Sequence, residues 1–252
     1  MSGSSDFSTV SVLPDVLRGR WFNADRFDPD DKWSGFDPKS TAIVLVDLIN
    51  WQFHPDGAKV RIQRQGGAPE TVDYFLERCE NVVLPSLRAV LDAARSAGVT
   101  VVHARLASRS MDYDDIVPAM RPYVRAAEAV EGSWGSQVLA GFEDPRDISV
   151  LKSGSGAYNS SDLDGVLRNV GIRTVLYAGG VTSGCVLLTV AAGYDLGYRQ
   201  YLLTDCTAAA TEHDQQEGER FMNNFMAQAV TAAEAIAAFE NATVPVDHER
   251  TA

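Results

Sequence analysis

The stretch "VLYAGGVTSGCVLLTVAAGYDLGYRQYLLTDC" (residues 175–206) carries the plan of the fold. An apolar run ends at two glycines, a short polar turn follows, and a helical pattern begins around Ser183. A second apolar run closes it at 199–206. Strand, helix and strand in that order form a βαβ unit, whose crossover is right-handed and whose strands are parallel. The same alternation extends outward. "TAIVLVDL" (41–48) is a continuous β-branched and apolar run, the pattern of a strand buried on both faces. "TVVHARL" (100–106) and "SVLKSG" (149–154) read as further strands. "ENVVLPSLRAVLDAARSAGV" (80–99) repeats apolar residues at helical spacing and stops at Gly98, a C-cap signal. A helix over 160–172, N-capped by Ser160 or Ser161 and stopped at Gly171, and another over 212–230 complete the set. The expected architecture is α/β: three α-β-α layers around a central parallel sheet, with Rossmann-like topology.

Length and composition fit one such domain. The chain has 252 residues, which suffices for a substantial core. Residues 1–38 read as an N-terminal arm, 39–241 as the domain and 242–252 as a flexible tail. The arm is either a surface segment or one that packs on a neighbouring subunit through Trp21, Phe22, Phe27 and Trp33. A net charge of −12 argues against a nucleic-acid partner, which needs clustered Lys and Arg. Three cysteines without metal-like spacing, no leader pattern and no long apolar run point to a reduced cytoplasmic protein without a membrane anchor. The irregular stretch 107–148 is long enough to supply part of a substrate pocket.

Ligands of parallel sheets bind beyond the carboxyl ends of the strands. Three residues able to do chemistry fall there: Asp47, Lys152 and Cys185. Each has an ordinary reading alone, as a turn residue, a solvated lysine and a buried small hydrophobe. Together they suit nucleophilic catalysis. A helix start and a nearby ammonium would lower the pKa of a thiol, and a carboxylate could take its proton. On that reading Asp47→Asn abolishes thiol activation and rapid iodoacetamide labelling. The glycines at 179–180 allow a tight turn that aims N–H groups at an oxyanion.

"AIVLVDLIN", "LKSGSGAY" with "DLDGVL", and "LYAGGVTSGCVLLTVAAGYDLGY" resemble the isochorismatase-like cysteine hydrolases, over about residues 40–235. The resemblance implies the Asp47–Lys152–Cys185 triad, a cis peptide between Gly180 and Val181, and an oxyanion hole from the Val181 and Cys185 amides. It implies C–N hydrolysis of a small amide, carbamoyl or ureido substrate through a thioester, and a homo-oligomer, dimer or tetramer. The alternatives are an ether hydrolase of the isochorismatase type, which has no need of Cys185, and a catalytically silent binding module. Candidate substrate contacts are Asn50, Phe53, Arg105, Tyr158 and Thr182, with Trp51 and Arg109 beside them; an arginine could meet a substrate carboxylate. The nicotinamidase-type Asp-x-His is missing from "VVHARLASRSMDYDD", and His54 and His103 stand alone. No metal and no cofactor are expected.

Overall fold

A computed structural model describes residues 32–66 and 69–243. Six parallel strands form one sheet: β1 (Thr41–Val46), β2 (Thr100–Leu106), β3 (Ile148–Lys152), β4 (Thr174–Gly180), β5 (Arg199–Ala208) and β6 (Gln228–Val230). Their order is β3-β2-β1-β4-β5-β6. The chain winds outward from β1 in one direction and from β4 in the other, so the switch point lies between those two strands.

Strand β1 explains the two-sided core. Ala42, Val44 and Val46 face one layer, Ile43 and Leu45 the other, and all are fully buried. The second face is covered by α3 (Pro69–Arg78), α4 (Leu84–Ala97) and α10 (Ala232–Thr243), through Phe75, Leu87, Val90, Leu91 and Phe239. The first is covered by α6 (Ala157–Ser160), α7 (Leu163–Asn169), α8 (Leu187–Asp195) and α9 (Glu212–Phe225), through Leu163, Leu167, Val190 and Met222. A third cluster, around Ile49, Trp51, Leu106, Ile116 and Val124, packs α1 (Asn50–Phe53), α2 (Ala58–Gln65) and α5 (Arg121–Ala126) at the strand ends. The segment 107–148 is mostly irregular, with α5 its one α-helix among the described residues.

Several boundaries differ from the periodicity reading. The helix expected over 80–99 continues a helical segment that begins at Pro69, joined by a π turn over Cys79–Val83. Gly98 does end it, at φ 78° with its N–H on the Ala94 and Arg95 carbonyls. The helix expected over 160–172 is two short ones, because Ser161 turns extended and its Oγ accepts from Leu163 N–H. The helix expected to 230 stops at Phe225; the chain then forms β6, whose three residues are too few to show a period.

The described end of the N-terminal segment belongs to the domain. Trp33 stacks on Tyr201 with ring centroids 4.4 Å apart, and Arg199 donates to the carbonyls of Lys32 and Ser34. Lys32 pairs with Glu234 at 2.9 Å. The expectations for Trp21, Phe22 and Phe27, and for most of the 242–252 tail, lie outside the described residues.

Candidate active site at the strand ends

Strand β1 delivers Asp47 to the switch point in an unusual backbone state, φ 54°. A non-glycine residue holds that state only where its surroundings fix it. Here they do: Asp47 N–H donates to the Ala104 carbonyl at 2.8 Å, and Ile49 N–H donates to the Asp47 carbonyl at 2.8 Å. Carboxylate Oδ1 accepts from Leu106 N–H at 2.7 Å. Oδ2 lies 2.9 Å from Lys152 Nζ, and both side chains are fully buried.

Lys152 ends β3, level with Leu106 in the sheet register. It reaches Asp47 from the outer strand while also donating to the Gly154 and Ser155 carbonyls, each at 2.9 Å. Burial penalises its charge, but the Asp47 and Cys185 charges more than offset this, and its pKa is raised. It is a fixed cation. Burial raises the Asp47 carboxyl, against the pull of Lys152 and the hydrogen bonds it receives. A carboxylate shifted that way is a better proton acceptor.

Strand β4 brings the third group. Gly179 sits at φ 103° against β1, and a β-carbon there would lie 2.1 Å from the Val46 carbonyl oxygen. Only glycine permits this approach. The Gly180–Val181 peptide is cis. A π turn over Thr182–Val186 then carries Cys185, which interacts with both Asp47 and Lys152. Thr182 Oγ1 donates to Gln215 Oε1 at 2.8 Å, tying this turn to α9, and Thr189 Oγ1 donates to the Cys185 carbonyl at 2.6 Å.

The expected lowering of the thiol pKa does not occur. Cys185 is 9% exposed, and burial pushes its thiol up to about 11, with Lys152 pulling it down and Asp47 pushing it up. At neutral pH the resting sulfur is a thiol, with the Asp47 carboxyl beside it.

The other candidates divide. Phe53 lies against the Gly180 backbone: a β-carbon on Gly180 would come 3.0 Å from its ring and 3.4 Å from Gln52 Nε2. Asn50 donates to the Trp134 carbonyl at 2.9 Å, and Trp51 Nε1 to the Leu106 carbonyl at 3.1 Å. Both fix the segment after Asp47. Arg105 is engaged by Ser149 Oγ and the Ser136 carbonyl, and Arg109 by the Leu151 carbonyl. Tyr158 hydroxyl is paired with Tyr177, 2.8 Å away, in a buried chain that ends on Gln200. His103 contacts Asp147, which also holds Arg95, and His54 accepts from Asp56 N–H. Among the described residues no cluster of three or more His, Cys, Asp or Glu could hold a metal ion. Nor is any of their helices long and apolar enough to cross a membrane.

Sequence reading missed three residues around the nucleophile turn. Tyr123 of α5 is close enough to Cys185 to interact electrostatically; burial, then that interaction, pushes its phenol up to about 12. Lys59 of α2 and Gln52 of α1 are buried, and neither Nζ nor Nε2 has a hydrogen-bond partner among the described residues. No motif signals them, since they lie in short helices with little periodicity. A separate cleft of about 540 Å³, lined by Tyr74, Arg78, Asp205, Gln215 and Glu219 among others, includes none of the three triad residues.

In sequence and fold the chain is similar to known hydrolases. A ureidoacrylate amidohydrolase of Caulobacter vibrioides is 27% identical over 189 residues, 69% of this chain and 79% of that one. A cysteine hydrolase from Pseudomonas syringae pv. phaseolicola superposes with a TM-score of 0.68 at 24% identity, covering 82% of this chain and 95% of that one. The N-carbamoylsarcosine amidase of Thermoplasma acidophilum gives 0.57 at 23%, covering 77% and 96%. The isochorismatase domain model matches residues 71–234, which span β2 to β6 and include Lys152 and Cys185. The chain belongs to the isochorismatase family of hydrolases.

Proposed function

We propose that this protein hydrolyses a C–N bond of a small amide, carbamoyl or ureido compound through a thioester on Cys185. The observation that carries the reading is the fully buried Asp47–Lys152 pair, 2.9 Å apart, facing a buried thiol. A buried ion pair is a poor source of stability, whereas a carboxylate raised by burial beside a nucleophile has a clear use. The ureidoacrylate amidohydrolase and the N-carbamoylsarcosine amidase among its similar proteins indicate the substrate class.

Asp47 accepts the Cys185 proton as the sulfur attacks the carbonyl carbon. Because the resting thiol is neutral, proton transfer accompanies attack. The Val181 and Cys185 amides stabilise the oxyanion. Asp47 then gives the proton to the departing nitrogen, and ammonia or an amine leaves. Asp47 deprotonates a water that attacks the thioester, and the acid departs as the proton returns to the sulfur. Lys152 stays charged throughout and balances the changing charge on Asp47.

An ammonia-release screen over primary amides, N-carbamoyl amino acids and ureido acids tests this. Cys185→Ala is expected to lose on the order of 10³-fold or more of kcat while melting as the parent does. Ammonia release that survives the substitution would remove Cys185 as the nucleophile.

A further inference from the structure

Lys59 lies in the first turn of α2 and is 3% exposed. Its ammonium sits 3.1 Å above the centre of the Phe75 ring. A ring face offsets part of the cost of burying a cation, but it leaves the N–H donors without acceptors. No carboxylate pairs with it among the described residues. A positive charge at a helix start is also opposed by the helix dipole. The position therefore costs stability and serves no evident structural end.

Its place suggests another use. Phe75 packs on Phe53, with centroids 5.4 Å apart, and Phe53 lies against Gly180 at the start of the nucleophile turn. Lys59 itself is close enough to Cys185 to interact electrostatically. Gln52 Nε2, also buried and unpartnered, lies at the same Gly180 backbone. Two buried donors without acceptors thus lie near the nucleophile turn, Gln52 at its Gly180 end and Lys59 within electrostatic range of Cys185, while Arg105 and Arg109 are occupied by backbone and serine oxygens. We propose that Lys59, assisted by Gln52, binds an anionic group of the substrate, so that the preferred substrate is an amide or ureido compound carrying a carboxylate.

The proposal rests on the hydrolase reading for its substrate class, but its test does not need turnover. Burial lowers the Lys59 ammonium to about 7. The titratable groups facing it are Cys79, from the turn after α3, and Cys185. Burial holds these thiols up at about 12 and about 11, so both stay neutral while Lys59 titrates. Iodoacetate and iodoacetamide alkylate the same sulfur but differ in charge. The ratio of their rates at Cys185, followed by peptide mass spectrometry on the whole protein, cancels the thiolate fraction and reports the local cation.

The ratio is expected to fall about fivefold or more between about pH 6 and about pH 9, as Lys59 loses its proton. In Lys59→Met it is expected to be at least about tenfold lower at the acid end, the scale of a hydrogen bond to a charged group, and flat with pH. Lys59→Arg should keep it high at both ends. A flat ratio in the unsubstituted protein overturns the proposal even if Lys59→Met does not fold, and so does a Lys59→Met ratio within about twofold of the parent's. Absence of any hydrolysis, as ammonia or as amine, with the ratio behaving as expected would sink the hydrolase reading and leave the anion site standing.

Discussion

At the scale of single residues, the charge on Asp47 has two opposite effects. In the proposed mechanism it accepts the thiol proton, yet at rest it raises the same thiol. The sign of the Asp47→Asn effect follows. Removing the carboxylate leaves Lys152 as the nearest charge, which favours the thiolate. Turnover should vanish while iodoacetamide labelling of Cys185 at neutral pH becomes faster, the reverse of the loss expected from sequence. In the unsubstituted protein the thiol is up at about 11, so labelling should climb about tenfold per pH unit between about pH 7 and about pH 10 without a plateau. A plateau near neutrality would show a resting thiolate instead.

At the scale of elements, the site depends on how closely β4 approaches β1. Gly179 pairs with Val46 at the last register position before Asp47. Gly179→Ala would press a β-carbon onto the Val46 carbonyl and is expected to cost about 2–5 kcal/mol, measured by denaturant unfolding. If the protein folds, the displaced strand end should also lower kcat, because Asp47 and the nucleophile turn leave these two strands. Strands β1 to β5 were legible because their runs are mostly apolar and bounded by glycine or polar turns; β6, three residues long, was not. The helices between Asn50 and Arg78 were not. Four of those residues form α1 and eight form α2, too few for a 3.6-residue period to stand out, and tertiary packing holds them.

At the scale of the whole molecule, the boundary drawn at residue 38 divides a packed unit. Trp33 belongs to the layer that α10 and β5 complete, through Tyr201, Phe36 and Phe239. Trp33→Ala should cost about 1–3 kcal/mol and lower the melting temperature by about 2–4 °C per kcal/mol, without changing KM. A melting temperature equal to the parent's would restore the reading of residues 32–38 as part of a surface arm.

The amino-acid sequence by itself determined the parallel sheet, since runs buried on both faces alternate with amphipathic helices and admit few other layers. It also singled out Asp47, Lys152 and Cys185, because each falls where a strand stops. Tertiary structure alone decided the thiol's protonation, which depends on burial by elements far apart in the chain. It also decided that, among the described residues, the Lys59 ammonium is buried without a hydrogen-bond partner. Arg105 and Arg109 find oxygens on β3 and the preceding loop, while Lys59 sits over the Phe75 ring, a contact between segments that no local pattern records.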